Sequence, residues 1–109
     1  MLRLGLTVIG ILLCSSVHAD YIDCKTWLTF DQMNRESYVA GVLDGTLDSL
    51  VSSATREHFG SCLAKSRATP ANLADAIAEF TKDRPELNMK PMYHVVMLYL
   101  FKTCGLARI

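Results

Sequence analysis

The first nineteen residues set the conditions under which the rest of the chain folds. Arg3 precedes a largely apolar run at residues 4–13, and Val17 and Ala19 place small side chains three and one positions before Asp20. A positive start, an apolar run and a small-residue cleavage site are typical of a secretory signal peptide. The run is too short for the roughly 20 residues that span a bilayer. We therefore expect cleavage after Ala19, and an exported mature chain with no membrane partner.

Removing residues 1–19 from the 109-residue chain leaves 90 residues, which is the length of one domain. The whole chain has eleven basic and eleven acidic residues, so loss of Arg3 makes the net charge −1 with histidines neutral. This balance argues against nucleic acid as a partner, because no basic stripe is present. A domain this small has a marginal core, and exported domains of this size often gain stability from disulfides.

Three cysteines remain in the predicted mature chain: Cys24, Cys62 and Cys104. An odd number allows at most one intramolecular bridge and leaves one thiol over. Their long spacing contains no CxxC pair, and zinc sites are usually built from closely spaced ligands. We expect no metal and no cofactor, and the cysteine count alone does not decide which two residues pair.

Apolar residues recur at helical spacing from Val39 to Leu50, which predicts a first main helix at about residues 30–52. Thr29 and Gln32 have the T-x-x-Q form of a capping box at its start. Gly41 and Gly45 weaken such a helix by about 1 kcal/mol each relative to alanine. We therefore expect another backbone to approach closely there.

Two further main helices are predicted, at residues 70–83 and 91–103. Thr69 and Pro70 fit the N-cap and first position of the former, and Pro91 fits the first turn of the latter. The last helix is apolar on nearly every side, so it is either central in the core or shared with a second subunit. Residues 53–68 show no sustained period and are predicted to be a loop with at most one helical turn. The expected fold is all-α, a small domain with three main helices plus short helical segments.

No group of residues forms a recognisable catalytic site. Asp44 and Asp48 fall one helical turn apart, and paired carboxylates can do acid–base chemistry, but a solvated helix face is the simpler explanation because no His, Lys or Arg lies at helical spacing to tune them. A nucleophilic Cys/His pair would need a reduced cysteine beside His58 or His94. The residues alone therefore predict a small exported helical domain with no visible active site. The charged segment at residues 53–67 is the first candidate contact surface, since loops often carry binding residues, although a plain connector explains it equally simply. The acidic helix face is the second candidate.

The ordered set of motifs resembles the Rap/Tai family of type VI secretion immunity proteins. The resemblance covers nearly all of the predicted mature chain. It rests on Cys24-Lys25-Thr26-Trp27-Leu28, Tyr38-Val39-Ala40-Gly41-Val42-Leu43-Asp44-Gly45, Cys62, Thr69-Pro70, Pro85-Glu86 and an apolar helix closing on Cys104.

This resemblance implies a small periplasmic all-helical protein that blocks a secreted peptidoglycan amidase effector and has no catalytic activity of its own. It also implies a disulfide between Cys62 and Cys104. Val39 stands where many relatives carry a further cysteine, so Cys24 is left free or pairs between chains. We expect a homodimer. The candidate effector-binding residues are Asp44, Asp48, Arg56, Glu57, His58, Lys65 and Arg67.

A second resemblance, to the HdeA family of periplasmic acid-stress chaperones, gives the alternative function. It rests on residues 24–28, Asp31 and the helix that starts at Thr69 and Pro70. Phe80 stands at the position of that family's second cysteine, and Cys104 has no counterpart there. An immunity protein binds one enzyme tightly at neutral pH, whereas an acid chaperone binds many clients only at low pH.

Overall fold

Residues 22–105 form five helices, four of which begin at a polar side-chain cap. The computed structural model describes residues 22–105, so the predicted signal peptide and its cleavage site lie outside the described part. Helix α1 is Cys24–Leu28, α3 is Ser53–Lys65, α4 is Pro70–Thr81 and α5 is Met92–Cys104. Helix α2 runs without a break through residues 32–50, as α-helical Gln32–Gly41, a π-helical turn Val42–Thr46 and α-helical Leu47–Leu50. A 3₁₀ turn, Pro85–Leu87, precedes α5, and the described residues include no β-strand.

The all-α fold is confirmed, but the count of three main helices is too low. The segment at residues 53–68, predicted as a loop, is mostly the 13-residue helix α3. The Ser52 side chain caps its start by accepting a hydrogen bond from the backbone N–H of Thr55 at 3.2 Å. The apolar period is weak because α3 covers only one edge of the core, and Phe59 is its single fully buried side chain.

The start of α2 also differs from the prediction. Asp31, rather than Thr29, is the N-cap, and its carboxylate accepts from the backbone N–H of Asn34 at 2.9 Å. Thr29 instead ends α1, where its hydroxyl donates to the carbonyl of Thr26 at 2.6 Å. The Thr69 cap is confirmed, with the side chains of Thr69 and Asn72 each accepting from the other's backbone N–H.

Helix α5 lies at the centre of the core. Its buried residues Met92, Val95, Val96 and Leu100 meet buried side chains from every other helix. The segment leading into it is joined to α1, since the N–H of Cys24 donates to the carbonyl of Lys90 and the N–H of Met92 donates to that of Ile22. Chain elements distant in sequence therefore meet at the first turn of α5.

The two glycines of α2 do not mark a close backbone approach, contrary to the prediction. Gly41 and Gly45 are both exposed, and a β-carbon built on either would meet no atom within 4 Å. Gly45 lies within the π-helical turn, where the regular hydrogen-bond pattern already changes. Neither glycine is required by the fold.

Candidate functional site

Three side chains fasten α3 to the last turn of α5. The Cys62–Cys104 disulfide links the two helices across 42 residues of sequence, with a Cα–Cα distance of 5.8 Å. His58 Nε2 lies 2.9 Å from the carbonyl oxygen of Cys104 and donates a hydrogen bond to it. The ring of Phe59 meets that of Phe101 edge to face, with centroids 5.2 Å apart. The disulfide pairing inferred from the Rap/Tai resemblance is the one that the structure contains.

The C-terminal end of α3 is fixed by backbone bonds around a non-glycine residue. Arg67 has a φ of 56°, in the left-handed region where glycine is usual. Its N–H donates to the carbonyl of Ala64 at 3.1 Å, and the N–H of Ala68 donates to that of Leu63 at 3.0 Å. These two bonds form a Schellman motif, so the backbone of Arg67 ends α3 while its side chain is exposed.

A surface depression of about 450 Å³ lies beside the disulfide. It holds two of the predicted binding residues, His58 and Lys65, together with three hydroxyl side chains and both bridged cysteines. The lining residues are His58, Ser61, Cys62, Lys65, Ser66, Thr103 and Cys104. Since the His58 imidazole is committed to the Cys104 carbonyl, its first role is to position α3.

A narrower cleft of about 220 Å³ lies between the π-helical turn of α2 and helix α3; we call it the α2–α3 cleft. It brings together Asp44 and Arg56, which are 12 positions apart in sequence and were predicted on separate surfaces. The remaining walls are apolar or lack a side chain. The lining residues are Leu43, Asp44, Arg56, Phe59, Gly60 and Leu63.

The predicted binding residues that the structure describes therefore do not form one surface. Asp44 and Arg56 share the α2–α3 cleft, and His58 and Lys65 share the depression beside the disulfide. Glu57 and Arg67 are exposed and line neither. The side chain of Asp48 lies outside the part of the chain that the structure describes.

Sequence reasoning missed the apolar walls of the α2–α3 cleft. Phe59 and Leu63 are four residues apart on α3, with Cys62 between them. That i, i+3, i+4 spacing is a short helical apolar stripe, and it was the available signal for both the helix and its cleft. A stripe of about one helical turn is a weak signal within a polar segment.

Cys24 is a free cysteine whose side chain is completely buried. Burial raises the pKa of its thiol above the ordinary value, and the nearby charge of Asp23 raises it further, while a hydrogen bond with the Thr81 side chain acts in the opposite direction. Such a thiol is poorly placed for a bond between chains, because a folded partner cannot reach the sulfur. Cys24 forms no disulfide within residues 22–105, and its burial favours the free thiol of the two predicted fates.

Within residues 22–105 no three His, Cys, Asp or Glu side chains are arranged to hold a metal ion. No helix in the same range is long and apolar enough to cross a bilayer. Comparisons of the chain with protein-family models, with curated proteins and with solved structures gave no match.

Proposed function

We propose that this protein is a periplasmic immunity protein that binds and inhibits a peptidoglycan amidase delivered by type VI secretion. The motif order that resembles the Rap/Tai family supplies the class of function. The all-α fold and the Cys62–Cys104 bridge are compatible with that class. The chain acts by occlusion, and its own residues perform no covalent step.

The observation that carries the proposal is that helix α3 is mostly exposed and yet firmly attached to α5. Only one of its 13 side chains is fully buried, yet the helix is held at a single point on α5 by a disulfide, a hydrogen bond and an aromatic contact. Its outer surface carries exposed charges of both signs, including Arg56, Glu57 and Lys65. A polar helix fixed on a rigid scaffold loses little conformational entropy on binding, which suits a tight inhibitor.

Homodimer formation is part of the proposal. The described surface exposes three large apolar side chains, Met33, Leu50 and Met89, with exposed fractions of 76%, 46% and 75%. Helix α5 also keeps Met97 and Leu98 only half-buried. Sedimentation equilibrium of the oxidised protein at micromolar concentration tests this point, and a monomer mass would contradict it.

Periplasmic co-expression tests the immunity function. Where an amidase gene lies beside this chain's gene, its product is the enzyme for this test. Growth of cells that express the amidase should be restored by the wild-type chain but not by the chain without residues 1–19, which remains in the cytoplasm. Cell lysis in both cases would contradict immunity.

One observation supports the chaperone alternative. The Asp23 carboxylate caps α1, and hydrogen bonds from Thr26 lower the pKa of Asp23, so this cap is lost only in strong acid. An acid-stress chaperone must partly unfold in strong acid. Suppression of client aggregation near pH 2 to 3, with no amidase inhibition at neutral pH, would favour this alternative.

A further inference from the structure

The α2–α3 cleft has a feature that the fold alone does not explain. Gly60 lies inside the regular helix α3, where glycine is less favourable than alanine. It has no positive φ, and a β-carbon built on it would meet no atom within 4 Å. The glycine is therefore not needed for a turn or a backbone contact. Its effect is to keep one wall of the cleft open.

The charge at the rim of the cleft indicates what enters it. Asp44 lies on the α2 side, is exposed, and forms no hydrogen bond or ion pair in the described part of the chain. Arg56 lies on the α3 side and has an interaction of its own. Asp44 is thus the rim residue whose charge is not paired within the described part of the chain. A cationic group that bound on the α2 side of the cleft would pair with its carboxylate.

The size and walls of the cleft fit one long side chain. Its volume of about 220 Å³ is below the roughly 300–1,000 Å³ of small-molecule sites. Leu43, Phe59 and Leu63 provide apolar walls. Arginine and lysine bury their methylene stems along such walls while the charged head stays near water.

We propose that the α2–α3 cleft is an anchor site for one arginine or lysine side chain of a protein partner. The stem lies against the apolar walls, and the charged head pairs with Asp44. The identification of that partner as an amidase rests on the proposed function. The site itself rests on the cleft, on Gly60 and on the rim charge. Leu43 and Asp44 both belong to the π-helical turn, a distortion that often occurs at functional sites.

The test uses Nα-acetyl-L-arginine methylamide as the probe and needs no amidase. ¹⁵N-labelled oxidised protein is titrated at low salt, and amide shifts are followed by NMR. We expect saturable shifts at residues 43–44 and 59–63, with a dissociation constant on the order of 1 mM for a ligand of this size. The citrulline analogue has the same shape without the charge, and it should bind several times more weakly.

Variants with matched controls locate the site. Gly60→Leu fills the cleft from its own wall and should abolish the saturable shifts, whereas Gly41→Leu adds the same side chain to an exposed helical glycine outside the cleft and should leave them. Asp44→Asn should weaken binding by about threefold, as expected for an exposed ion pair. Glu57→Gln removes an exposed charge from α3 outside the cleft and should change binding less than twofold.

Three results would each overturn the proposal. These are shifts that do not saturate, arginine binding that survives in Gly60→Leu, and equal binding of the arginine and citrulline probes. The amidase co-expression test has a separate readout, so either idea can fail while the other stands. The retained NMR spectrum of each variant shows that it has folded.

Discussion

His58 donates a hydrogen bond to the backbone carbonyl of Cys104, and Cys104 is also the residue whose sulfur is bonded to Cys62. His58 and Cys62 are one helical turn apart on α3, so two different bonds join the same turn of α3 to the same residue of α5. Of the 13 buried core residues in the described part of the chain, Phe59 is the only one on α3. The helix is therefore attached locally, at the end of α5, to a core built mainly by the other elements.

We predict that reduction by a dithiol releases α3 before the rest of the domain unfolds. The bridge closes a long loop, and the chain-entropy model gives it a stabilising effect of about 4 kcal/mol. In Cys62→Ser/Cys104→Ser, amide exchange should accelerate far more at residues 53–65 than in α5 around Val95 and Val96, where it follows only the lower global stability. Equal loss of protection in α3 and α5 would contradict local attachment.

The same arrangement predicts coupling between His58 and the disulfide. In oxidised protein, His58→Ala should lower the free energy of unfolding by about 1 kcal/mol, the usual net value of one hydrogen bond. With both cysteines replaced by serine, the same substitution should cost less, because α3 is already partly released. Urea unfolding of the four variants measures the coupling, and a purely additive result would argue against it.

A third prediction concerns the buried thiol. Cys24 should react with a thiol reagent such as iodoacetamide only when the chain unfolds, because its sulfur is buried and burial favours the protonated thiol. Oxidised native protein at pH 8 should show almost no labelling, and the same protein in guanidinium should show one equivalent. Rapid native labelling, or a dimer that dissociates on reduction, would show that Cys24 is accessible.

Substitution should stabilise the folded chain at two backbone positions and destabilise it at a third. Gly41→Ala should raise the free energy of unfolding by about 0.5–1 kcal/mol, since the exposed helical site has room for a β-carbon. Arg67→Gly should stabilise by a similar amount by relieving the left-handed φ. Gly105→Ala should destabilise by about 1–3 kcal/mol, because Gly105 has φ 76° and ψ −177°. A stabilised Gly105→Ala would show that this backbone geometry is not required.

Acid should remove the contribution of the Asp23 cap. The pKa of Asp23 in the folded chain is below its ordinary value of 3.8, so its stabilising effect is complete above that value and disappears as the pH falls through the folded pKa. Asp23→Ala should therefore be less stable than wild type at pH 6, and the difference should shrink as the pH falls below 3.8. Thermal unfolding across this range measures the difference, and a constant gap down to pH 2 would contradict the assignment.

The features that sequence reasoning predicted correctly depend on local chemistry. Thr69 and Pro70 start α4 because capping and the fixed φ of proline act within four residues, and the apolar run of α5 marks its central place in the core. The errors occurred where tertiary contacts decide the outcome. Helix α3 has one buried side chain, so the apolar periodicity of its sequence is weak. Asp44 and Arg56 line the same cleft because α3 folds back onto α2, and no local sequence pattern specifies this packing.

The direct test of the proposed function is a titration of the purified amidase with this protein at pH 7, with peptidoglycan hydrolysis as the readout. The account predicts that the oxidised protein abolishes hydrolysis at a stoichiometric ratio and that the two chains elute as one complex in size-exclusion chromatography. A variant without the Cys62–Cys104 bridge should inhibit more weakly, because a released α3 loses its fixed geometry. Full amidase activity in the presence of excess oxidised protein, with the two chains eluting separately, would contradict the account.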